Sequence, residues 1–325
     1  MFDTYQKQLG IAVLAIIGLT ILSIFIGVSD VTPEKLFANS DDGRTLQVLL
    51  ISRIPRTLAI LLAGGSMALV GMIMQILARN RFVEPSTAGT VESAGLGLLV
   101  VTVLAPEMPI FGKMLVASLF ALMGTFLFLR ILRSIPLRSV LVVPLVGIVL
   151  GGVIGAITTF FAYRLDLLQS LNAWLTGSFA GILSGRYELL WISLVLMIAA
   201  YIAADRFTVA GMGQDFTTNL GLNYNRVMTL GLIIVSMVTA VVVVTVGMIP
   251  FLGLIVPNVV RQMQGDNVRR TTPWVIVIGA GFVLVCDMIG RVIRFPYEIP
   301  IGVVVGVVGS ILFLFMLLRK DAHVA

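Results

Sequence analysis

Charge is what this sequence has least of. Only 12% of its 325 residues are Asp, Glu, Lys or Arg, about half the share found in soluble globular chains. Against that, 58% are hydrophobic and the mean hydropathy is +1.07. Such scarcity leaves no room for a sizeable soluble domain, so residues 1–325 are expected to form a single all-α polytopic membrane domain. A single cysteine, Cys286, excludes an intrachain disulfide; lying in an apolar run, it reads as a small hydrophobe. The one histidine, His323, stands among the last three residues, and no metal site is expected. No Gly-x-x-x-x-Gly-Lys-[Ser/Thr] run occurs, so the chain has no phosphate loop for ATP and no enzymatic activity is expected of it alone. The net charge of +6 is read as a report on membrane orientation rather than on nucleic-acid binding.

What the sequence has in abundance is long charge-poor runs. They fall at about 9–28, 57–78, 88–105, 114–129, 139–162, 189–204, 227–246, 250–264, 273–290 and 299–318. Each covers most or all of a hydrocarbon core about 30 Å thick, which makes ten transmembrane helices. The first run lacks a small-residue cleavage site and is too long for a signal-peptide core, so it is read as an uncleaved span. Val227–Val260 carries no charge and as one helix would run about 50 Å; Gly247, Pro250 and Gly253 are expected to break it. An even number of spans puts both termini on one side. That side would hold thirteen of the 22 Lys and Arg, among them Lys7, Arg79, Arg130 and Arg206, while Asp30, Glu34, Asp41, Asp42, Glu107, Asp166, Glu188 and Glu298 fall opposite. Both termini are therefore expected in the cytoplasm.

Three features stand out from the apolar background. The first is the polar stretch "GMGQDFTTNLGLNYNR" at Gly211–Arg226, between the sixth and seventh spans. Asp215 is expected to cap a short helix through Phe216–Leu220, and Gly221 to end it in a left-handed conformation. So short a helix is unstable alone; it either rests on the protein's own surface or is presented to a partner's groove. The second is a set of arginines on the outer side, Arg53 and Arg56 in "SRIPRTL" and Arg291 and Arg294 in "DMIGRVIRFPYEIPIG". These either snorkel to headgroups or form a basic rim for carboxylates of an external partner. The third is a pair of acids at span edges, Glu92 and Asp287, read as a cap or local ion pair ahead of a proton or cation relay. Asp287 precedes Arg291 by four residues, on one helix face. The 32 glycines are spread through the spans, where they let helices pack closely.

Several of these stretches together resemble the FecCD family, permease subunits of the ABC importers for iron–siderophores, haem and cobalamin. The resemblance covers about 46–320. It rests on "RIPRTLAILLAGGSMALVGMIMQ", "RNRFVEPSTAG", "WLTGSF" at 174–179, "GMIPFLGLIVPNVVR" at 247–261 and "FPYEIPIGVVVGVVG" at 295–309, in family order.

The resemblance implies a type II ABC importer architecture: two paired permeases, two cytoplasmic ATPase subunits that bind ATP and magnesium, and an extracytoplasmic substrate-binding protein. No cofactor is implied for this chain, and its place would be the inner membrane of a bacterium. The family's coupling segment, here about 205–226, would dock in an ATPase groove through Gly213, Asp215, Phe216, Thr217, Leu220 and Gly221. Arg53, Arg56 and Arg291 would face carboxylates of the binding protein. The fifth and tenth spans would line the path, with Ser139 as a candidate inner gate.

The chain departs from the common family pattern at Gln214, Thr217, Arg81 and Asn258. These departures are similar to the branch for catecholate or mixed-type siderophores such as petrobactin and anguibactin, where two different permeases pair. The expected function is ATP-driven import of a ferric siderophore by alternating access. The alternatives are the same architecture carrying haem or cobalamin, and an ion-coupled secondary transporter using Glu92 and Asp287.

Overall fold

The computed structural model describes residues 2–27, 44–135 and 142–318; Ser139 lies outside them. Among the described residues, each of the ten apolar runs is largely helical and no strand occurs. The helices are α1 (Phe2–Phe25), α2 (Thr45–Leu77, with a π-helical turn at Leu49–Arg53), α3 (Thr90–Leu104), α4 (Ile110–Ser134), α5 (Val142–Arg164) and α6 (Leu168–Leu175). They continue with α7 (Trp191–Ile202), α8 (Ala204–Gly211), α9 (Gln214–Asn219), α10 (Tyr224–Thr245), α11 (Leu252–Gln264), α12 (Val268–Val292) and α13 (Ile301–Leu318). Six are long and apolar enough to cross a membrane, namely α1, α2, α4, α5, α10 and α12. Another span arises if α7 and α8, bent by 62°, count as one, while α3 and α13 are shorter apolar helices. The eighth run differs from expectation: α11 has 13 residues, about 20 Å at 1.5 Å per residue, too short to cross alone.

The bundle is built around α2, of whose apolar window 89% is buried, against 22% for α5 and 6% for α1. Small residues explain this centrality. Gly64 and Ala68 meet Gly279 and Ala280 of α12, so close that a Cβ on Gly64 would stand 2.8 Å from the Gly279 carbonyl oxygen. Such small-residue seams let two helix backbones approach without a hydrophobic driving force from lipid.

The predicted break in Val227–Val260 lies between α10 and α11. Gly247 takes φ +92° and Phe251 φ +63°, conformations that carry the chain out of one helix and into the next. Gly253 has another role. It lies inside α11 against Gly71, where a Cβ on Gly71 would stand 2.1 Å from the Gly253 Cα.

Non-helical backbone at membrane depth must find its hydrogen bonds in protein, and here it does. The Met248 amide donates to Leu175 O at 3.0 Å, the Ser178 amide to Val246 O at 2.8 Å, and the Gly302 amide to Gly177 O at 3.0 Å. From the connector after α2, the buried Glu84 carboxylate accepts the Phe251 amide at 2.8 Å and lies against the amides of Gly253 and Leu254. It thus closes the start of α11 from a position 167 residues away. Pro257 lacks the N–H that would pair with Gly253 O, and the Gln75 side-chain amide donates to that carbonyl instead, at 3.2 Å.

Candidate functional site

The polar stretch after α8 is organised from its glycines inward. Gly213, at φ +117° and ψ 168°, takes a backbone conformation that a side chain would resist. It serves as the N-cap of α9, which begins at Gln214. The expected Asp215 cap is corrected: Asp215 is the second residue of the helix and makes no capping bond.

The other end is as expected. Gly221 stands at φ +75°, the Leu222 amide donates to Thr217 O at 3.1 Å, and the Gly221 amide donates to Thr218 O at 2.9 Å. These two bonds are the Schellman pattern that satisfies the last carbonyls of a helix.

Thr217 fastens α9 to the protein. Fully buried, its hydroxyl bonds to Gly213 O at 2.6 Å and Val209 O at 3.2 Å, the second acceptor belonging to α8. Beyond the turn, the Asn223 side chain accepts the Arg226 amide at 3.1 Å and starts α10. Arg79 packs beside Gly213, and its guanidinium lies 5.7 Å from the centre of the Tyr224 ring. With its base fixed, α9 turns the other face outward, leaving Phe216 48% and Leu220 57% exposed. The helix therefore rests on its own chain through Thr217, as the first reading expects, and leaves two large apolar side chains exposed on its other face.

The arginines expected on the outer side form a different arrangement from either expectation. Arg53, Arg56 and Arg291 are 6%, 8% and 3% exposed, so they neither snorkel to headgroups nor form an exposed rim. Their partners come from the same chain. Arg56 donates to Asp287 Oδ1 at 2.8 Å and to Glu298 Oε2 at 2.8 Å, while Arg291 pairs with Asp287 Oδ2. Arg291 also donates to Ser23 O at 2.9 Å and Ile26 O at 3.0 Å, and Arg53 to Ile26 O at 2.6 Å. The physical reason is that a buried guanidinium survives only when paired and hydrogen-bonded, and here the carbonyl end of α1 and two carboxylates provide both. Among the described residues, the exposed arginines expected on this side are Arg164, Arg186 and Arg294, the last over the Tyr297 ring at 5.8 Å.

Asp287 is the i,i+4 partner of Arg291, as the spacing predicts, and both of its oxygens are taken by arginines. Glu92 stands apart, in α3 opposite Gly151 of α5, with Oε2 buried. Two departures from the family pattern also meet: the Asn258 side-chain amide donates to Arg81 O at 2.8 Å and Leu254 O at 2.7 Å. Cys286 is buried, as a small hydrophobe would be.

Sequence reasoning missed Glu84 and Glu298 as partners. For Glu84 the available signal was the "EPST" run, since the Glu84 amide donates to Thr87 Oγ1 at 2.9 Å in the box that opens the short helix Pro85–Ala88.

Comparison with known proteins decides the family. The profile of the FecCD transport family matches residues 14–319. The chain belongs to the FecCD transport family. Among FecCD relatives, it is 50% identical over 308 residues to the petrobactin import system permease protein YclN of Bacillus subtilis, covering 95% of this chain and 97% of that protein. It is 38% identical to the ferric-anguibactin transport system permease protein FatD of Vibrio anguillarum, over 94% and 97% of the two chains. To the vitamin B12 import system permease protein BtuC of Yersinia pseudotuberculosis it is 29% identical, over 97% and 93%. The fold matches a metal-chelate-type ABC transporter in an inward-facing conformation at TM-score 0.80 and 24% identity, covering 97% of this chain and 99% of that one. This FecCD chain is thus an integral membrane protein with the fold of an ABC importer permease.

Proposed function

We propose that this chain is one permease of an ABC importer that moves a ferric siderophore across the cytoplasmic membrane, with both termini in the cytoplasm. The observation that carries the reading is α9. A six-residue helix locked at its base by Thr217 holds Phe216 and Leu220 outward between the sixth and seventh spans, as a rigid knob for a groove requires. ATP and magnesium belong to separate ATPase subunits, and α9 passes their closure to the bundle through α8 and α10. The likeness to petrobactin and anguibactin permeases favours a catecholate or mixed-type chelate as cargo and a second, different permease as partner. The iron travels already chelated.

Exposed apolar faces fit a path between two permeases. Along α5 they include Leu145, Val149, Val153 and Phe160, and along α13 Val303, Val307, Ile311 and Leu314. Weakly polar walls let a large chelate leave as readily as it enters. Docking of the binding protein falls to the outer face, where the buried cluster of Arg53, Arg56 and Arg291 fixes the helix ends and exposed Arg186 and Arg294 meet carboxylates. Of the two acids that an ion-coupled transporter would use, Glu92 and Asp287, the second has both oxygens engaged by arginines, which speaks against it as a relay.

The test is reconstitution in vesicles with the second permease, the ATPase and the binding protein, following uptake of radioactive iron as different ferric siderophores. Uptake should require ATP and be greatest with a catecholate or mixed-type chelate. Uptake driven by a proton or sodium gradient with the ATPase omitted would overturn the reading.

A further inference from the structure

A second polar feature lies at the end of the bundle that carries α9. The first turns of α1, the last turn of α7 and the first turns of α12 line a cleft of about 570 Å³ that is open to the surface. Its walls divide by chemistry. Arg269 and Arg270, with Gln6, provide the polar part, whereas Leu9 and Pro273 are apolar and Tyr5 and Tyr201 have both characters.

The two arginines are held in place. The Arg270 guanidinium lies 5.0 Å from the centre of the Tyr5 ring, and that tyrosine's hydroxyl donates to Arg270 O at 2.7 Å. The Arg269 guanidinium lies 5.8 Å from the Tyr201 ring and pairs with Asp205, which is itself exposed. A guanidinium attracted to an aromatic ring can still offer N–H groups in pairs to two oxygens of a phosphate.

Beyond the cleft the surface is apolar. Ile11 and Leu14 of α1 are 66% and 68% exposed, and Ile198 and Ile202 of α7 are 53% and 74% exposed. An anionic head site therefore opens onto hydrocarbon-facing helix surfaces. Tyrosines at the rim fit the polar–apolar boundary of a bilayer, and basic pockets between spans at such a boundary suit phosphate headgroups.

We infer that this cleft binds the phosphate headgroup of an anionic glycerophospholipid, with Arg269 and Arg270 on the phosphate and the acyl chains along α1 and α7. The site does not depend on the identity of the transported cargo. It touches α8 through Asp205, so a bound phosphate competes with that carboxylate for Arg269 beside the helix leading into α9.

Trp274, 6% exposed and packed edge-on against Tyr5 at 6.3 Å between ring centres, gives a local reporter. The assembled transporter, with Trp174 and Trp191 of this chain and the tryptophans of its partners replaced by Phe, is placed in phosphatidylcholine vesicles. Phosphatidylglycerol or phosphatidylcholine with brominated acyl chains is then titrated in. Brominated phosphatidylglycerol should quench Trp274 at a several-fold lower mole fraction, with about a five-fold preference for each arginine engaged. Arg269→Gln with Arg270→Gln should abolish the preference, and Arg270→Lys, which keeps the charge, should retain part of it. Equal quenching by the two lipids in the transporter with both arginines intact would overturn the proposal whatever the variants do. So would relief of the quenching by millimolar inorganic phosphate, which would assign the cleft to a soluble oxyanion.

Discussion

At the scale of single residues, the strongest constraints are buried charge and missing side chains. Asp287 holds Arg56 and Arg291 together at 4% exposure. Asp287→Asn keeps the shape but leaves two buried guanidiniums short of a counter-charge, at a cost of about 3 kcal/mol or more. A marked drop in the thermal midpoint of the solubilised protein is expected; an unchanged midpoint with lost transport would instead favour a relay role. Gly71→Ala puts a methyl into the Gly253 backbone, where neither partner can turn aside, and should destabilise by about 1–3 kcal/mol. Gly152→Ala, where the added carbon meets open space, should leave the midpoint nearly unchanged in the same measurement.

At the scale of elements, α9 is a short helix with two fasteners. Thr217→Val removes the bonds to Gly213 and Val209 at about 1 kcal/mol. Gly221→Ala forces a side chain into φ +75° at about 1–2 kcal/mol. Both should speed hydrogen exchange of the amides at 213–222 several-fold, leaving the buried α2 protected; unchanged exchange would show that α9 is held by something else. What was legible in the sequence follows from the range of each cause. The apolar runs lie on helices because span length and scarcity of charge are local properties. The end of α9 was readable because only glycine suits its left-handed stop. Its start was not, because glycine and aspartate are both good N-caps, and only the folded backbone shows that the φ +117° position belongs to Gly213. Asp287 and Arg291 were legible as an i,i+4 pair. The burial of Arg53 and Arg56 was hidden because their partners, Ile26 and the pair Asp287 and Glu298, lie up to 242 residues away.

At the scale of the whole molecule, two polar constructions lie at opposite ends of one apolar bundle. The buried arginine cluster ties α1, α2 and α12 at one end, and α9 projects at the other. The glycine-seamed packing of α2 against α12 runs between the two ends, as the proposed coupling requires if a push on α9 is to move helices rather than be absorbed locally. The central claim is that ATP energy enters through the apolar face of α9. Its most direct measurement is ATP-driven uptake of the ferric siderophore by the reconstituted transporter carrying Phe216→Asp and Leu220→Asp. Both side chains are exposed, so the permease should keep its thermal midpoint while uptake falls to the level seen without ATP. Uptake at the unsubstituted rate in a correctly assembled transporter would contradict the account.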